Sequence, residues 1–577
     1  MASIKIFAEA RSARPIIQDF VPLAESLEWE LGQQYLKDRG NKAFISDASP
    51  VPFVVNNDGN LSRNAAEVFF ASLLEADKAG TLEPDIHVLE LGIGVGLFAR
   101  FFLDHFQSLC ETQRKDYYER LTYVAADRSE RMLMDVARHG VLGNHPGRYR
   151  LRVVDAMCPD QTLPFDVAFR EQTRPFRAVF LNYLLDCLPA SVLQFADGQV
   201  KELHVRTCVA RNVELSEFTD MTVEQLKERA KTRTPAAMQE LLEVYGLFAS
   251  EYDYRPVDAS KIPYSAFGIA YAKPITNRFL LSHGAIHSLE RLLDLIADDG
   301  FILINDYGQT QTSRDDEFEH QRFSLATFVG VNFPLLKAYF EQKDGAVWIE
   351  PQSEEGGIHT RLLCRRRSTD LIVKFWEQFS KTTYDHLHEP IQLARAFANA
   401  GRFELASSFY AEALERQPSN WVLMNEMAMF LTFSWHDAKA GIEMAKQALA
   451  LNPRCSAELW NTLGDGLFGY GRVEEARSAY TKALEVNESD VRARYNLAWC
   501  HVREHNFPAA LSIIADALAL DKTGQYGKRL LDKLTEVMQL VGLRHRQEYL
   551  LLINLVSRFA KKDESAPPKP EPEGSNG

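Results

Sequence analysis

Between residues 85 and 367, short runs of apolar and β-branched residues alternate with segments whose apolar residues recur at helical spacing. This order is typical of a parallel sheet whose strands are joined by crossover helices. The sequence therefore predicts an α/β domain over 85–367, preceded by a helical or lid region at 1–84 and containing a helical insert at about 210–280. Seven segments have the pattern of strands: 87–91, 122–126, 149–154, 178–181, 301–305, 347–350 and 359–365.

From about residue 387 the pattern is helical only, and it repeats. The dipeptide Ala-Leu recurs at 413, 448, 483 and 517, with spacings of 35, 35 and 34 residues. One column of small residues has the same spacing, and a second is spaced 34, 36 and 34 residues, which indicates a one-residue shift within or between units. The columns are Ala406, Gly441, Ala476 and Ala510, and Ala394, Ala428, Gly464 and Ala498.

A period near 34 residues, with small residues where two helices cross, resembles the tetratricopeptide (TPR) repeat. The resemblance implies an all-α solenoid of four repeats over 387–522, with capping helices at 523–562. TPR stacks present a concave surface that binds peptides or helices, so we expect a protein or peptide partner there. The proline-rich end, 563–577, cannot bury a core, and its composition predicts a disordered tail.

The 577 residues are 46% hydrophobic and 25% charged, as in ordinary globular proteins large enough for more than one core. The formal net charge of −14 argues against a general nucleic-acid surface, which needs a basic stripe. Seven scattered cysteines without a Cys-x-x-Cys pair predict reduced thiols and favour a cytoplasmic location. No apolar run has the length of a membrane span, and His283 and His287 lack a third ligand nearby, so neither a membrane segment nor a metal is expected.

One predicted strand ends in an acid and is followed by three glycines at alternate positions: Glu90, Gly92, Gly94 and Gly96. Glycines in such a turn let the backbone approach a ligand closely. A dinucleotide-binding turn would have its third glycine one position later, where this chain has Leu97. The pattern resembles the first motif of class I S-adenosylmethionine (SAM)-dependent methyltransferases; the alternative is a purely structural turn between strand and helix.

Acids at the ends of the next two predicted strands extend this resemblance. Asp127 ends the second strand, where this class holds the ribose hydroxyls, and Asp155 ends the third, where the class contacts the adenine. The alternative for the second strand is that Asp127 or Ser129 only caps the next helix. The resemblance implies a seven-stranded, Rossmann-like class I methyltransferase domain that binds SAM. Its expected cofactor residues are Glu90, Gly92, Gly94, Gly96, Asp127, Asp155, Ala156 and Asn182.

The fourth and fifth strands carry a narrower resemblance, to the MidA-like methyltransferases, which include the mitochondrial complex I assembly methyltransferase. Asn182, Asp186 and Pro189 have the spacing of that family's Asn-Glu-x-x-Asp-x-x-Pro segment, and the strand at 302–308 ends in its Asp-Tyr-Gly. Weaker matches lie at 56–62 and 330–333.

One position departs from that family, because Tyr183 stands where its members have Glu. Members are linked to arginine methylation, and a guanidinium is not nucleophilic until a carboxylate holds its charge or removes its proton. Asp186 and Asp306 are therefore the candidate catalytic residues. The alternatives are a helix N-cap for Asp186 and a strand-end turn for Asp306.

We expect a SAM-dependent methyltransferase that acts on a protein, on arginine or another nitrogen acceptor, recruited by the TPR array. Two other functions stay open. One is a small-molecule methyltransferase whose repeats serve oligomerisation. The other is a non-catalytic SAM-binding scaffold or assembly factor, which the loss of the family's Glu at Tyr183 would favour.

Overall fold

The structure is a computed structural model, and it describes residues 14–45, 57–162, 174–211, 213–312, 320–323, 325–354, 356–521, 527–529, 532–533 and 535. The predicted capping helices at 523–562 lie largely outside these ranges, and the predicted tail at 563–577 lies wholly outside them. The chain divides into two compact units, with the division after Asn420.

In the described part of the chain the strands are β1 (Ile16–Pro22), β2 (Ile86–Leu91), β3 (Leu121–Asp127), β4 (Tyr149–Val153), β5 (Phe176–Asn182), β6 (Ser191–Ala196), β7 (Gln199–Val209), β8 (Phe248–Pro256), β9 (Arg278–Leu281), β10 (Ile296–Asp306), β11 (Gly308–Gln309), β12 (His320–Phe323), β13 (Ala326–Val329), β14 (Val331–Asn332), β15 (Val347–Ile349) and β16 (His359–Cys364). The helices of the first unit are α1 (Leu27–Arg39), α2 (Lys42–Ile45), α3 (Asn60–Ala79), α4 (Leu97–Gln113), α5 (Tyr117–Arg120), α6 (Glu130–His139), α7 (Pro159–Thr162), α8 (Val223–Thr232), α9 (Pro235–Val244), α10 (Ser265–Ala272), α11 (His283–Leu293), α12 (Phe333–Glu341), α13 (Thr369–Gln378), α14 (Lys381–Asn399) and α15 (Phe403–Arg416). Those of the second unit are α16 (Trp421–Met429), α17 (Ala438–Leu451), α18 (Ala457–Gly469), α19 (Val473–Val486), α20 (Val491–Arg503) and α21 (Phe507–Leu520).

The central sheet has seven strands in the order β15-β16-β10-β5-β2-β3-β4. Strands β10, β5, β2, β3 and β4 are parallel, whereas β16 runs antiparallel to β10 and to β15. All seven predicted strands are present, and the prediction of a seven-stranded α/β domain is confirmed. The order reverses between β2 and β5, and open parallel sheets bind ligands at the carboxyl ends of the strands on either side of such a reversal.

Both faces of the sheet are buried at its central strands β10, β5, β2 and β3, which explains why these strands read as largely apolar runs. On one face, α3 and α4 contribute phenylalanines: the ring centroids of Phe69 and Phe102 are 5.7 Å apart, and those of Phe102 and Phe180 are 5.0 Å apart. On the other face, leucines and isoleucines of α11 and α12 complete a second apolar cluster. The sheet is therefore a rigid platform for the residues at its carboxyl edge.

A second sheet, which sequence reasoning missed, has the order β1-β7-β6-β9, with β8 also paired to β7. The predicted insert at about 210–280 is therefore not only helical: it contains α8, α9 and α10 but also β8 and the start of β9. Strand β1 likewise gives the predicted helical region at 1–84 a strand of its own, paired antiparallel with β7. Strand β8 was hard to detect, because Tyr252 and Tyr254 supply its apolar surface between charged residues.

Four helical hairpins follow the α/β domain within residues 381–520: α14–α15, α16–α17, α18–α19 and α20–α21. The small-residue columns lie where the two helices of a hairpin cross. At Gly464, for example, an added Cβ would be 2.5 Å from Cε1 of Tyr480. The all-α, TPR-type architecture is confirmed.

The second hairpin explains the one-residue shift in the columns. A π-helical turn, Phe430–Ser434, follows α16 and takes up one additional residue between Ala428 and Gly441. This turn brings Thr432 so close that a Cβ at Gly441 would be 2.1 Å from its Oγ1. The inserted residue therefore explains why position 441 is glycine, whereas the other hairpins have alanine in this column.

The first hairpin, α14–α15, belongs to the same compact unit as the α/β domain, whereas the other three form the second unit. The sequence boundary at 387 falls inside α14. Periodicity identifies a helix pair as TPR-like, but it does not show which neighbour that pair packs against.

Candidate active site

The carboxyl ends of β2, β3 and β5 open onto a cavity of about 680 Å³. Its volume lies in the range of roughly 300–1,000 Å³ that is usual for small-molecule sites. Helix α1 also contributes to the lining, with Trp29, Gln33, Leu36 and Lys37. The cavity thus combines the predicted cofactor edge of the sheet with a helix of the N-terminal region.

The glycine turn between β2 and α4 has a left-handed backbone at each glycine, with φ of 75° at Gly92, 53° at Gly94 and 81° at Gly96. Gly92 and Gly94 line the cavity, and an added Cβ at Gly94 would meet no atom within 4 Å. Gly96 lies outside the lining, and a Cβ there would be 3.2 Å from Val136. Two of the three predicted glycines thus present bare backbone to the cavity, whereas the third allows α4 and α6 to pack closely.

Asp127 ends β3 and lines the cavity. Its Oδ1 accepts a hydrogen bond of 2.8 Å from the backbone N–H of Ser129, and burial raises the pKa of its carboxyl to about 6. The helix cap is Ser129, whose Oγ accepts from the N–H of Met132 at 3.2 Å. Of the two residues that were candidates for the cap of α6, Ser129 is therefore the one that caps the helix.

Asp155 and Ala156, which follow β4, also line the cavity. Oδ1 of Asp155 accepts a hydrogen bond of 2.9 Å from the N–H of Met157, which fixes the turn into α7. Its Oδ2 lies 3.9 Å from Nε of Arg128, the residue after Asp127. The ends of β3 and β4 therefore frame the same side of the cavity.

Glu90 lies within a chain of hydrogen bonds that crosses five neighbouring strands. Tyr123 Oη donates to its Oε2 at 2.9 Å and Asn182 Nδ2 to its Oε1 at 3.4 Å. Asn305 Nδ2 donates to Asn182 Oδ1 at 2.9 Å, and Thr360 Oγ1 donates to Asn305 Oδ1 at 2.8 Å. Burial raises the pKa of Glu90 to about 8 despite these donors, so the carboxyl of the protein alone is mainly protonated at pH 7. The negative charge expected here thus depends on what binds beside it.

The two predicted catalytic carboxylates have different surroundings. Asp306 is fully buried at the end of β10, lies outside the cavity lining and accepts hydrogen bonds from the N–H groups of Leu185 at 2.8 Å and Asp186 at 3.3 Å. It therefore holds the 3₁₀ turn Leu185–Cys187. Asp186 lines the cavity, and its Oδ1 accepts from Cys187 Sγ at 3.2 Å. Burial raises the pKa of both carboxyls, and the charge of Asp186 raises that of Asp306 further.

Tyr183, which replaces the family's Glu, has a left-handed backbone with φ of 50°. This conformation is uncommon for a residue with a side chain, and it is often found at functional sites. Its N–H donates to the carbonyl of Asn305 at 2.9 Å, and its ring centroid is 6.4 Å from that of Tyr307. Both rings line the cavity, so an aromatic pair takes the place of one carboxylate.

Several lining residues were not predicted from the sequence: Trp29, Gln33, Asn57, Cys187, Phe328 and His359. Asn57 lies in the weak match at 56–62, which is the one signal that could have identified it. The others come from segments far apart in the chain. Gln33 Nε2, for example, donates to the carbonyl of Cys187 at 3.2 Å.

Among the described residues, no group of three or more His, Cys, Asp or Glu side chains is arranged to hold a metal ion. No helix of that part of the chain is long and apolar enough to span a bilayer. No disulfide is formed by the cysteines of the described residues.

The order of the seven strands, the left-handed glycine turn and the acids at the strand ends define a class I SAM-dependent methyltransferase domain. Comparison with known families agrees. Residues 67–329 match the model described as "Putative S-adenosyl-L-methionine-dependent methyltransferase". Residues 391–420 and 467–534 match TPR models. The chain thus carries a domain of this methyltransferase family together with TPR repeats, and SAM is its cofactor, as predicted.

Individual relatives and one solved structure each cover part of the protein. A peroxisomal targeting signal receptor of Saccharomyces cerevisiae is 33% identical over 99 residues, 17% of this chain and 16% of that receptor. A small glutamine-rich tetratricopeptide repeat-containing protein 2 of Mycosarcoma maydis is 34% identical over 101 residues, 17% of this chain and 28% of that protein. A solved structure described as a "likely methyl transferase from Burkholderia thailandensis bound to S-adenosyl-homocysteine" has 13% identity and a TM-score of 0.37, and covers 61% of this chain and 90% of that one.

The residues at the cavity fit SAM. Gly92 and Gly94 expose backbone without a side chain in the way, and the carboxyl of Asp127 ends the next strand. When bound, SAM supplies a methyl group on a positively charged sulfur. By the geometry of the lining, the turn and Asp127 would hold it, together with Asp155 and Ala156.

Proposed function

We propose that this protein methylates a nitrogen atom of a protein substrate that the TPR hairpins recruit. The observation that carries the proposal is the lining of the cavity beyond the glycine turn, where Asp186 is accompanied by the rings of Tyr183 and Tyr307. A single cavity thus contains both the cofactor residues and a set of side chains suited to a cationic acceptor.

Asp186 is the residue best placed to receive the acceptor's proton. It lines the cavity while Asp306 holds the backbone behind it, and burial raises the pKa of its carboxyl to about 7. A general base is most effective when its pKa lies near the working pH. As the nitrogen lone pair forms the new bond to the methyl carbon, the bond between that carbon and the sulfur of SAM would break with its electron pair going to sulfur, so that S-adenosylhomocysteine leaves. The proton lost from nitrogen passes to the carboxylate of Asp186.

The aromatic lining favours a cationic or planar acceptor such as guanidinium. Trp29, Phe44 and Phe328 join the two tyrosines around the cavity. Aromatic faces attract cations and also exclude water, so a charged nitrogen group is held close to the reacting methyl without a metal ligand. Either a protonated guanidinium or an ammonium fits this chemistry, and arginine stacks best on planar rings.

A rigid helical stack in the second unit supports docking of a protein rather than capture of a free metabolite. Asp465 on α18 accepts hydrogen bonds from Tyr480 Oη at 2.7 Å, Asn496 Nδ2 at 2.8 Å and Arg492 Nη2 at 2.7 Å, which tie three helices together. A surface that is rigid before binding loses less entropy when a peptide docks. Relatives named as targeting signal receptors and as a TPR protein are consistent with a peptide ligand.

Methyl incorporation into proteins of a source-cell lysate tests the proposal. Isotope-labelled SAM is added with the full chain, with residues 1–420, or with the full chain carrying Gly94→Val. We expect the full chain to label one or a few proteins at nitrogen, residues 1–420 to label them far more slowly, and the Gly94 variant to label none. Peptide mass spectrometry identifies the methylated atom.

Other outcomes would favour the alternatives. Label that appears only in small molecules, at equal rates with and without residues 421–577, would indicate a small-molecule methyltransferase. Binding of SAM by the wild type without any transferred label would indicate a non-catalytic scaffold.

A further inference from the structure

Helix α4 begins at the cofactor turn, and its first turn is capped by a residue from another part of the chain. Its N-cap is Gly96, which has no side chain to accept a hydrogen bond from the helix. The unpaired donors of a helix N-terminus need such acceptors. Asn57 supplies one: its Oδ1 accepts from the N–H of Phe98 at 3.0 Å, and Asn57 itself lines the cavity.

The turn that carries this cap is held by its own residues. Asp58 Oδ1 accepts from the backbone N–H of Asn60 at 2.9 Å, and Asp58 Oδ2 accepts from Asn60 Nδ2 at 3.0 Å. Gly59 has a left-handed φ of 101° and packs against the chain after α15: an added Cβ would be 2.9 Å from Cβ and from the carbonyl of Ser419. The position of Asn57 thus follows from that of residues 58–60.

Gln417, immediately after the first hairpin, fixes Asn60. Its side chain is 1% exposed, and its Oε1 accepts from Asn60 Nδ2 at 2.6 Å and from Asn420 Nδ2 at 2.9 Å. Its Nε2 donates to the carbonyl of Leu387 in α14 at 2.6 Å. A single buried amide therefore joins the two helices of the hairpin to the turn beside the cofactor site.

A second contact of α3 does not pass through that turn. Asn64 Nδ2, one helical turn beyond Asn60, donates to the carbonyl of Gln378, the last residue of α13, at 3.1 Å. It holds α3 next to the start of the hairpin but has no link to Asn57. It is therefore a matched control position.

We propose that the first helical hairpin is a positioning element of the SAM site, in which Gln417 holds Asn60 and thereby keeps Asn57 on the first turn of α4. The repeat that marks the start of the docking array would then also set cofactor affinity. Because linkage is reciprocal, cofactor binding would in turn stabilise residues 416–420.

Titration of the full-length protein with S-adenosylhomocysteine tests this proposal by calorimetry. We expect Asn60→Ala and Gln417→Leu each to weaken binding by about three- to thirtyfold, the range for residues that couple two sites. We expect Asn64→Ala to lower thermal stability while affinity stays within about twofold. If one of the first two variants does not fold, the other decides.

Hydrogen exchange of the wild type and the same variants gives a readout that a merely structural role would not change. Exchange at the N–H of Phe98 should be faster in Asn60→Ala and Gln417→Leu than in Asn64→Ala. In the wild type, S-adenosylhomocysteine should slow exchange at the N–H of Asn420, which donates to the carbonyl of Gln417. Unchanged affinity and exchange in both variants, equal losses in the control, or no protection at Asn420 would overturn the proposal. Absence of any binding by the wild type would instead contradict the cofactor assignment itself.

Discussion

The two sides of the cavity are built in different ways. On the cofactor side, Gly92 and Gly94 lie just after β2, Asp127 ends β3 and Asp155 lies just after β4, so contiguous chain segments fix their positions. On the proposed acceptor side, Asp186 and Tyr183 follow β5, but much of the remaining lining comes from α1, from α2 and from the chain between the end of β10 and the start of β16. Local backbone conformation thus specifies the cofactor side, whereas the acceptor side depends on long-range packing.

The two candidate carboxylates show the same contrast within a few residues. Asp186 faces the cavity, and Asp306 is used by the backbone of the neighbouring turn. Both were equally plausible catalytic residues in the sequence, because both lie at the carboxyl edge of the sheet, Asp306 at the end of β10 and Asp186 shortly after β5. Only the tertiary structure separates the residue that lines the cavity from the residue that binds backbone N–H groups.

The largest expected effect concerns this pair. Asp186→Asn should lower the methyl-transfer rate by roughly 10²–10⁴-fold with little change in SAM affinity, since it removes the proton acceptor. Asp306→Asn should instead lower stability by about 1–3 kcal/mol, because its amide would face two backbone N–H donors. Single-turnover labelling of the lysate protein, corrected for the folded fraction, measures both. Normal turnover in Asp186→Asn would show that Asp186 does not accept the proton, and that positioning of the acceptor alone accounts for the rate of methyl transfer.

On the cofactor side, Gly94→Val should weaken S-adenosylhomocysteine binding by more than about 100-fold. The branched side chain would enter the cavity, and φ of 53° strains a β-branched residue. Gly80→Val is the matched control, because Gly80 has φ of 70° and open space around it but lies outside the cavity lining. It should reduce thermal stability without loss of affinity; equal losses in the two variants would show that strain alone accounts for the effect.

Asp127→Ala should weaken binding of S-adenosylhomocysteine by about 1.5–3 kcal/mol, the usual range for hydrogen bonds to a charged group. Ser129→Ala is the comparison, since Ser129 caps α6. It should cost about 1 kcal/mol of stability and much less affinity. Calorimetry with melting curves separates the two; a reversed pattern would make Asp127 the structural residue.

The smallest expected effect is a pH dependence from Glu90. Burial raises the pKa of Glu90 from its ordinary value of 4.5 to about 8 in the protein alone, so folding favours the protonated form. The stability contributed by this raised pKa is complete below about pH 4.5 and is lost as the pH rises through 8. A cation bound beside the carboxyl favours its ionised form, so SAM affinity should rise by up to about tenfold between pH 6 and 8. Glu90→Gln should flatten that rise, and an unchanged slope in the variant would place the titrating group elsewhere.

Prediction from sequence succeeded where a signal was periodic or contiguous. The central strands were found because burial on both faces makes them largely apolar runs, and the repeats were found from columns of small residues. The antiparallel second sheet was missed although β7 and β8 alternate polar with apolar residues, because β1 pairs with a strand nearly 200 residues further on. Long-range pairing leaves no local pattern.

The amino-acid sequence by itself determined the class of domain, its cofactor and the presence of TPR repeats, since glycine turns, strand-end acids and helical periods are properties of neighbouring residues. Tertiary structure alone decided that Asp186 rather than Asp306 faces the cavity, that Gly96 serves packing, and that the first hairpin belongs with the methyltransferase domain. These outcomes depend on which distant segments of the chain pack against one another. Packing of the whole chain selects them, and no short segment encodes that information.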